Sequence, residues 1–140
     1  MGNRVTASQV IEVSDDNGIV AARQAVRNLA ERLGFGGMDK SRIATAVSEL
    51  ARNLVRYATD SRGTVRITEV RNPAGAVGIE IVVEDQGPGI EDIELAMRQG
   101  YSTGRGLGLG LSGTKRLMDE MTVESTPGIG TTVKVRKWLK

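Results

Sequence analysis

Glycine occupies every second position from Gly104 to Gly110, with Arg105, Leu107 and Leu109 between. Gly100 and Gly113 flank the run. Glycine in such density works against both helix and strand, so the stretch reads as a loop. Alternate glycines let successive backbone N–H groups converge on an anion, and a helix starting at residue 112 adds its dipole. The plainer alternative is a flexible linker. Linkers are more often Gly and Ser, without a leucine at every second place, and Leu107, Leu109 and Leu111 speak for a loop that docks. Two commoner phosphate motifs fail. Gly108-x-Gly110-x-x-Gly113 has the dinucleotide spacing but follows Tyr101-Ser102-Thr103-Gly104-Arg105, which is no strand. Gly108 to Lys115 ends Gly113-Thr114-Lys115, where a P-loop needs Gly-Lys-Ser/Thr.

Two absences narrow the chemistry. The 140 residues include no His and no Cys. Imidazole bases, Ser-His-Asp hydrolysis, thiol catalysis, disulfides and zinc sites built on these residues are excluded. Proton transfer falls to carboxylates, Lys or Tyr. The hydrophobic share of 39% suits one aliphatic domain over residues 1–140. A net charge of +2 is too small to argue for nucleic acid. No stretch reads as a signal peptide or a membrane span, so no membrane partner and a cytoplasmic location are expected.

Along the chain, Val5 to Val13 reads as an edge strand, interrupted by Asn17-Gly18. Apolar spacing predicts a helix over 19–33 and a second over 40–58, capped by Asp39. Strands are expected at Thr64 to Val70 and Val77 to Val83, joined by Asn72-Pro73-Ala74-Gly75. Short helices are expected at 91–98 and 112–120. A closing hairpin pairs Val123-Glu124 with Thr131 to Val135 around Thr126-Pro127-Gly128. The order β-α-α-β-β-α-α-β-β lacks βαβ alternation. It predicts an α/β (α+β) two-layer sandwich, with a mixed, mostly antiparallel sheet and helices on one face.

Three further places carry chemistry. On helix 40–58, Ile43, Val47, Leu50, Leu54 and Ala58 form one stripe. Glu49 and Asn53 lie beside it, one turn apart, able to face a cleft. The plainer alternative is a surface Glu49 paired with Arg52. Asp85 ends an apolar strand just before Gly87-Pro88-Gly89, an acceptor beside backbone that a ligand can approach closely. The alternative is an ordinary turn. Thr131 opens the last strand, where its hydroxyl reaches toward a ligand held by Asp85.

Taken together, these pieces resemble the GHKL nucleotide-binding superfamily of gyrase, chaperone, histidine kinase and mismatch-repair ATPases. The N box resembles Glu49-x-x-x-Asn53, and the first glycine box Asp85-x-Gly87-x-Gly89. The second glycine box resembles Gly104-x-Gly106-x-Gly108, and the closing Thr box Gly130-Thr131. They stand in the family's order and cover residues 43–135. Without His no histidine autokinase is expected, and in 140 residues no transducing domain is expected. The stretches Ser48 to Asn53, Asp85 to Ile90, Gly104 to Gly110, Lys115 to Glu120 and Lys137 to Leu139 look like those of RsbT-type serine/threonine switch kinases.

The resemblance implies the Bergerat fold and a kinase using ATP and Mg²⁺ that phosphorylates a STAS-domain antagonist. On release it would activate a PP2C-type phosphatase. A sigma factor is the alternative target, held by an anti-sigma kinase or by a binding module without catalysis. Glu49 would be the catalytic base, and Asn53 the Mg²⁺ ligand in the ATP site. Asp85 would read the adenine amino group, with Thr131 alongside. Gly87 and Gly89 would admit the base. Gly104, Gly106, Gly108 and Gly110 would wrap the phosphates, and Arg105 would touch the γ-phosphate.

Overall fold

A computed structural model describes residues 8–57, 63–85, 111–126 and 128–139. Strand β1 spans Ser8–Val13, helix α1 Asp16–Leu33 and helix α2 Gly37–Tyr57. Strands β2, Gly63–Arg71, and β3, Val77–Asp85, follow. Helix α3, Leu111–Leu117, and strands β4, Glu120–Thr126, and β5, Gly130–Trp138, complete the described chain. The five strands form one sheet in the order β1-β2-β3-β5-β4. The expected sandwich is present. Its sheet, expected to be mixed and mostly antiparallel, is antiparallel at every described pairing.

Alternation decides which sheet face is covered. Val65 and Ile67 of β2, Ile79, Ile81 and Val83 of β3, and Val133 and Val135 of β5 are buried. Their neighbours Arg66, Glu84 and Lys134 are exposed. Successive strand side chains point to opposite faces, so the buried set marks the face under the helices. On α2, the expected stripe of Ile43, Val47, Leu50 and Leu54 is at most 2% exposed. Ala22, Val26 and Ala30 of α1 complete the layer, each 0% exposed. Fully burying such an aliphatic chain is worth roughly 1.5–3 kcal/mol for the larger residues.

Several boundaries differ from expectation, each through a tertiary contact. Asn17 and Gly18 start α1 rather than interrupt the chain. Asp15 caps the helix, its Oδ1 accepting from the N–H of Asn17 at 3.0 Å and of Gly18 at 3.3 Å. Gly18 is required there because a Cβ would lie 2.9 Å from the Cα of Val13. Asp39 is not the cap of α2, which begins at Gly37. Its carboxylate takes Arg42 Nη1 at 2.8 Å and faces Lys137 Nζ at 3.8 Å. Helix α3 stops at Leu117, not at residue 120. There the backbone N–H of Asp119 donates to Arg136 O on β5 at 2.9 Å, and Lys137 Nζ donates to Leu117 O at 3.0 Å. β4 and β5 both run longer than expected. The expected helix at 91–98 lies outside the described residues.

Candidate functional site

The register aligns four residues across one end of the sheet. Gly63 on β2 stands opposite Asp85 on β3, Asp85 opposite Thr131 on β5, and Thr131 opposite Ser125 on β4. All four share parity with the buried valines and isoleucines, so the row faces the helix layer. Asp85 and Thr131, expected to work together, are direct neighbours. The Thr131 backbone N–H donates to Asp85 Oδ1 at 3.3 Å. Ser125, which sequence reasoning missed, joins them: its Oγ lies 2.9 Å from Thr131 Oγ1 and donates to Gly130 O at 3.2 Å. Its signal was available, because a hairpin with Thr126 opposite Gly130 sets Ser125 opposite Thr131.

These strand ends line an open depression of about 310 Å³, with Asp85, Ser125, Ile129 and Thr131 among its walls. Its rim carries Ile129, an apolar side chain 67% exposed at the hairpin tip. Glu84, Glu124 and Thr132, of the opposite strand parity, line it too, so the depression wraps the strand ends, with the carboxylate and two hydroxyls of the row on its helix-facing side. That donor and acceptor set suits a flat heterocycle bearing an amino group.

Helix α2 is brought to this end of the sheet by Gly63. A Cβ on Gly63 would sit 2.6 Å from Leu54 Cδ2, so only glycine lets Leu54 lie on the strand beside Asp85. Asn53 precedes Leu54 and is half-buried, and Glu49 stands one turn earlier. Glu49 is held as the surface reading anticipated: Arg52 Nη1 donates to its Oε2 at 2.6 Å, with the two side chains 40% and 36% exposed. The pair is well formed but solvent-facing, and such pairs contribute under about 1 kcal/mol. Among the described residues no cluster of three or more acidic groups could hold a metal. Asn53 offers one oxygen, which fits a cation held mostly by phosphates.

Beside this end, a groove of about 320 Å³ runs between α1 and α2. Three guanidinium groups, Arg23, Arg52 and Arg56, face one carboxylate, Asp16, over Val20 and Val55. Arg52 belongs both to this groove and to the Glu49 pair. Of the other expected site residues, Gly87, Gly89, Gly104, Arg105, Gly106, Gly108 and Gly110 lie outside the described residues. Among the described residues no helix is long and apolar enough to cross a membrane.

Comparison with known proteins identifies the family. Residues 38–140 match the family of histidine kinase-, DNA gyrase B-, and HSP90-like ATPases. The chain is 52% identical over 122 residues to the serine/threonine-protein kinase RsbT of Bacillus subtilis, covering 87% of this chain and 90% of that one. It is 35% identical over 121 residues to the anti-sigma F factor of a Thermoanaerobacter species, covering 84% and 83%. Among solved structures, the RsbU and RsbW domains of a Mycobacterium tuberculosis protein match with a TM-score of 0.63 and 21% identity. That match spans 97% of this chain and 33% of the other, and speaks for the fold alone. Family match and high identity converge: the chain belongs to the histidine kinase-, DNA gyrase B- and HSP90-like ATPases, as a serine/threonine-protein kinase.

Proposed function

We propose that the protein transfers the γ-phosphoryl group of ATP to a Ser or Thr hydroxyl of a STAS-domain antagonist in a partner-switching system. The observation that carries this reading is the Asp85–Thr131 pair at the end of a sheet over which Gly63 and Leu54 lay α2. An acceptor pair for the adenine amino group then lies at the same end of the sheet as the two polar side chains of α2. Asn53 would supply one oxygen to a Mg²⁺ ion, whose charge would offset that of the phosphates. Glu49 accepts the proton of the incoming hydroxyl. The substrate hydroxyl oxygen bonds to the γ-phosphorus, the bond from that phosphorus to the β,γ-bridging oxygen breaks, and ADP leaves. With no His in the chain, a carboxylate is the natural base. Arg52 fixes the Glu49 carboxylate from the solvent side.

The groove of Arg23, Arg52 and Arg56 suits an acidic surface on the protein substrate. Its link to Glu49 through Arg52 would bring a docked hydroxyl toward the base. A PP2C-type phosphatase is the proposed target on release, consistent with the likeness to RsbT. The Glu49–Arg52 pair also favours a second reading, in which the carboxylate is structural and ATP only shapes a surface that holds a sigma factor. Incubation with labelled ATP and purified STAS proteins separates the two. Label on a Ser or Thr of the STAS protein supports the kinase. Nucleotide-dependent binding of a sigma factor with no transfer supports the second reading.

A further inference from the structure

We propose that Arg52 is a brake on Glu49, holding its carboxylate while the groove between α1 and α2 is empty and releasing it when a carboxylate of the protein substrate docks there. This rests on the reading of Glu49 as the base, and adds when that base is free. Among the groove's described walls only Arg52 is ion-paired, and its partner Glu49 is not one of those walls. Arg52 Nη1 donates to Glu49 Oε2 at 2.6 Å. While that bond lasts, the carboxylate is held toward Arg52, and a base serves only when its lone pair meets the hydroxyl it must accept from. Arg52 would be a positioning residue, acting on the reaction only through Glu49.

The groove calls for the competitor. Among the described residues neither Arg23 nor Arg56 has an ion-pair partner. Asp16 is the groove's one carboxylate and lies in the first turn of α1, where the helix end itself favours it. A docked carboxylate therefore meets three guanidinium forks, two of them unpaired. Between them lie Val55 and Val20, the latter 51% exposed, so the fitting segment carries an apolar side chain beside its acids. The exchange is within reach because the pair is weak. Its side chains are 36% and 40% exposed, and exposed pairs are held loosely. The brake also spares ATP. A free Glu49 would take a proton from water, whose oxygen bonds to the γ-phosphorus as the bond to the β,γ-bridging oxygen breaks, leaving ADP and inorganic phosphate.

The test is hydrolysis of saturating Mg-ATP by the full chain without a protein substrate. Arg52→Ala should raise the rate about two- to fivefold, the scale that release of a weak exposed pair allows. The site is exposed and alanine is the best helix former, so the variant folds. Glu49→Gln/Arg52→Ala should show no rise over Glu49→Gln alone. Hexaglutamate at constant ionic strength should bring the parent's rate toward that of Arg52→Ala, and Arg23→Ala/Arg56→Ala should lose this response. An unchanged or slower Arg52→Ala rate overturns the proposal. So does a rise that survives in the Glu49→Gln background, or a parent that ignores hexaglutamate. Glu49→Gln alone keeps the two failures apart. Full hydrolysis and transfer in that variant removes Glu49 as the base. A loss there with an unchanged Arg52→Ala rate removes only the brake.

Discussion

Asp85 and Thr131 stood out in the sequence because each sits at the edge of an apolar run, and the register makes them neighbours. Asp85→Asn should weaken ATP binding by about 5- to 150-fold, from the ~1–3 kcal/mol of a lost charge-assisted acceptor, while the unfolding midpoint in urea holds. Equal affinities in a folded variant would falsify the assignment. Glu49 was legible in both its roles, and the 2.6 Å pair with Arg52 does not choose between them, since a paired carboxylate still takes a proton when a better-placed donor arrives. Kinetics choose. Glu49→Gln should keep Mg-ATP affinity and lose ~10²–10⁴-fold in single-turnover transfer. Transfer within a few-fold of the parent would leave Glu49 as a surface acid. Ser125 was missed because a polar residue in a strand of alternating polarity stands out only once the hairpin register sets it opposite Thr131.

At the scale of elements, periodicity identified α1, α2, β2 and β3, whose apolar positions recur over many residues. The errors fell where a contact distant in sequence sets the boundary. Asp39 has the chemistry of a helix cap, yet its carboxylate serves Arg42 and Lys137, and α2 starts two residues earlier. Residues 118–120 are compatible with a helix, but β5 claims the backbone of Asp119. Gly63 shows how an element join becomes functional. Gly63→Ala sets a methyl 2.6 Å from Leu54 Cδ2 and 2.5 Å from Glu84 O. It should cost ~1–3 kcal/mol in urea titrations, as overpacking does, and weaken ATP binding by displacing α2 from the Asp85 end. Lower stability with unchanged ATP affinity would separate α2 placement from the site.

For the whole molecule, Lys137 does what no local pattern announced. Only 9% of its side chain is exposed, and its ammonium lies 3.0 Å from Leu117 O, 3.6 Å from Asp119 and 3.8 Å from Asp39. One cation thus joins β5, the end of α3 and the start of α2. Lys137→Met removes the donor to Leu117 O and a cation shared by Asp39 and Asp119, which keep Arg42 and the Trp138 N–H, and should cost about 1–3 kcal/mol, read from the urea midpoint. A change below 1 kcal/mol would mean that water compensates the carboxylates fully. The sheet order carries a different consequence. β3 and β5 lie side by side at its centre, yet Asp85 and Thr131 are 46 residues apart in the chain. Closing so long a loop costs entropy before any contact repays it, and contacts of this range slow folding. The pair proposed to meet the base therefore forms only when the two halves of the chain have already found each other. An unfinished chain would lack this proposed base-binding wall, so nucleotide occupancy would distinguish finished copies of the protein from those still folding, and ligand stabilisation would fall on the finished ones alone.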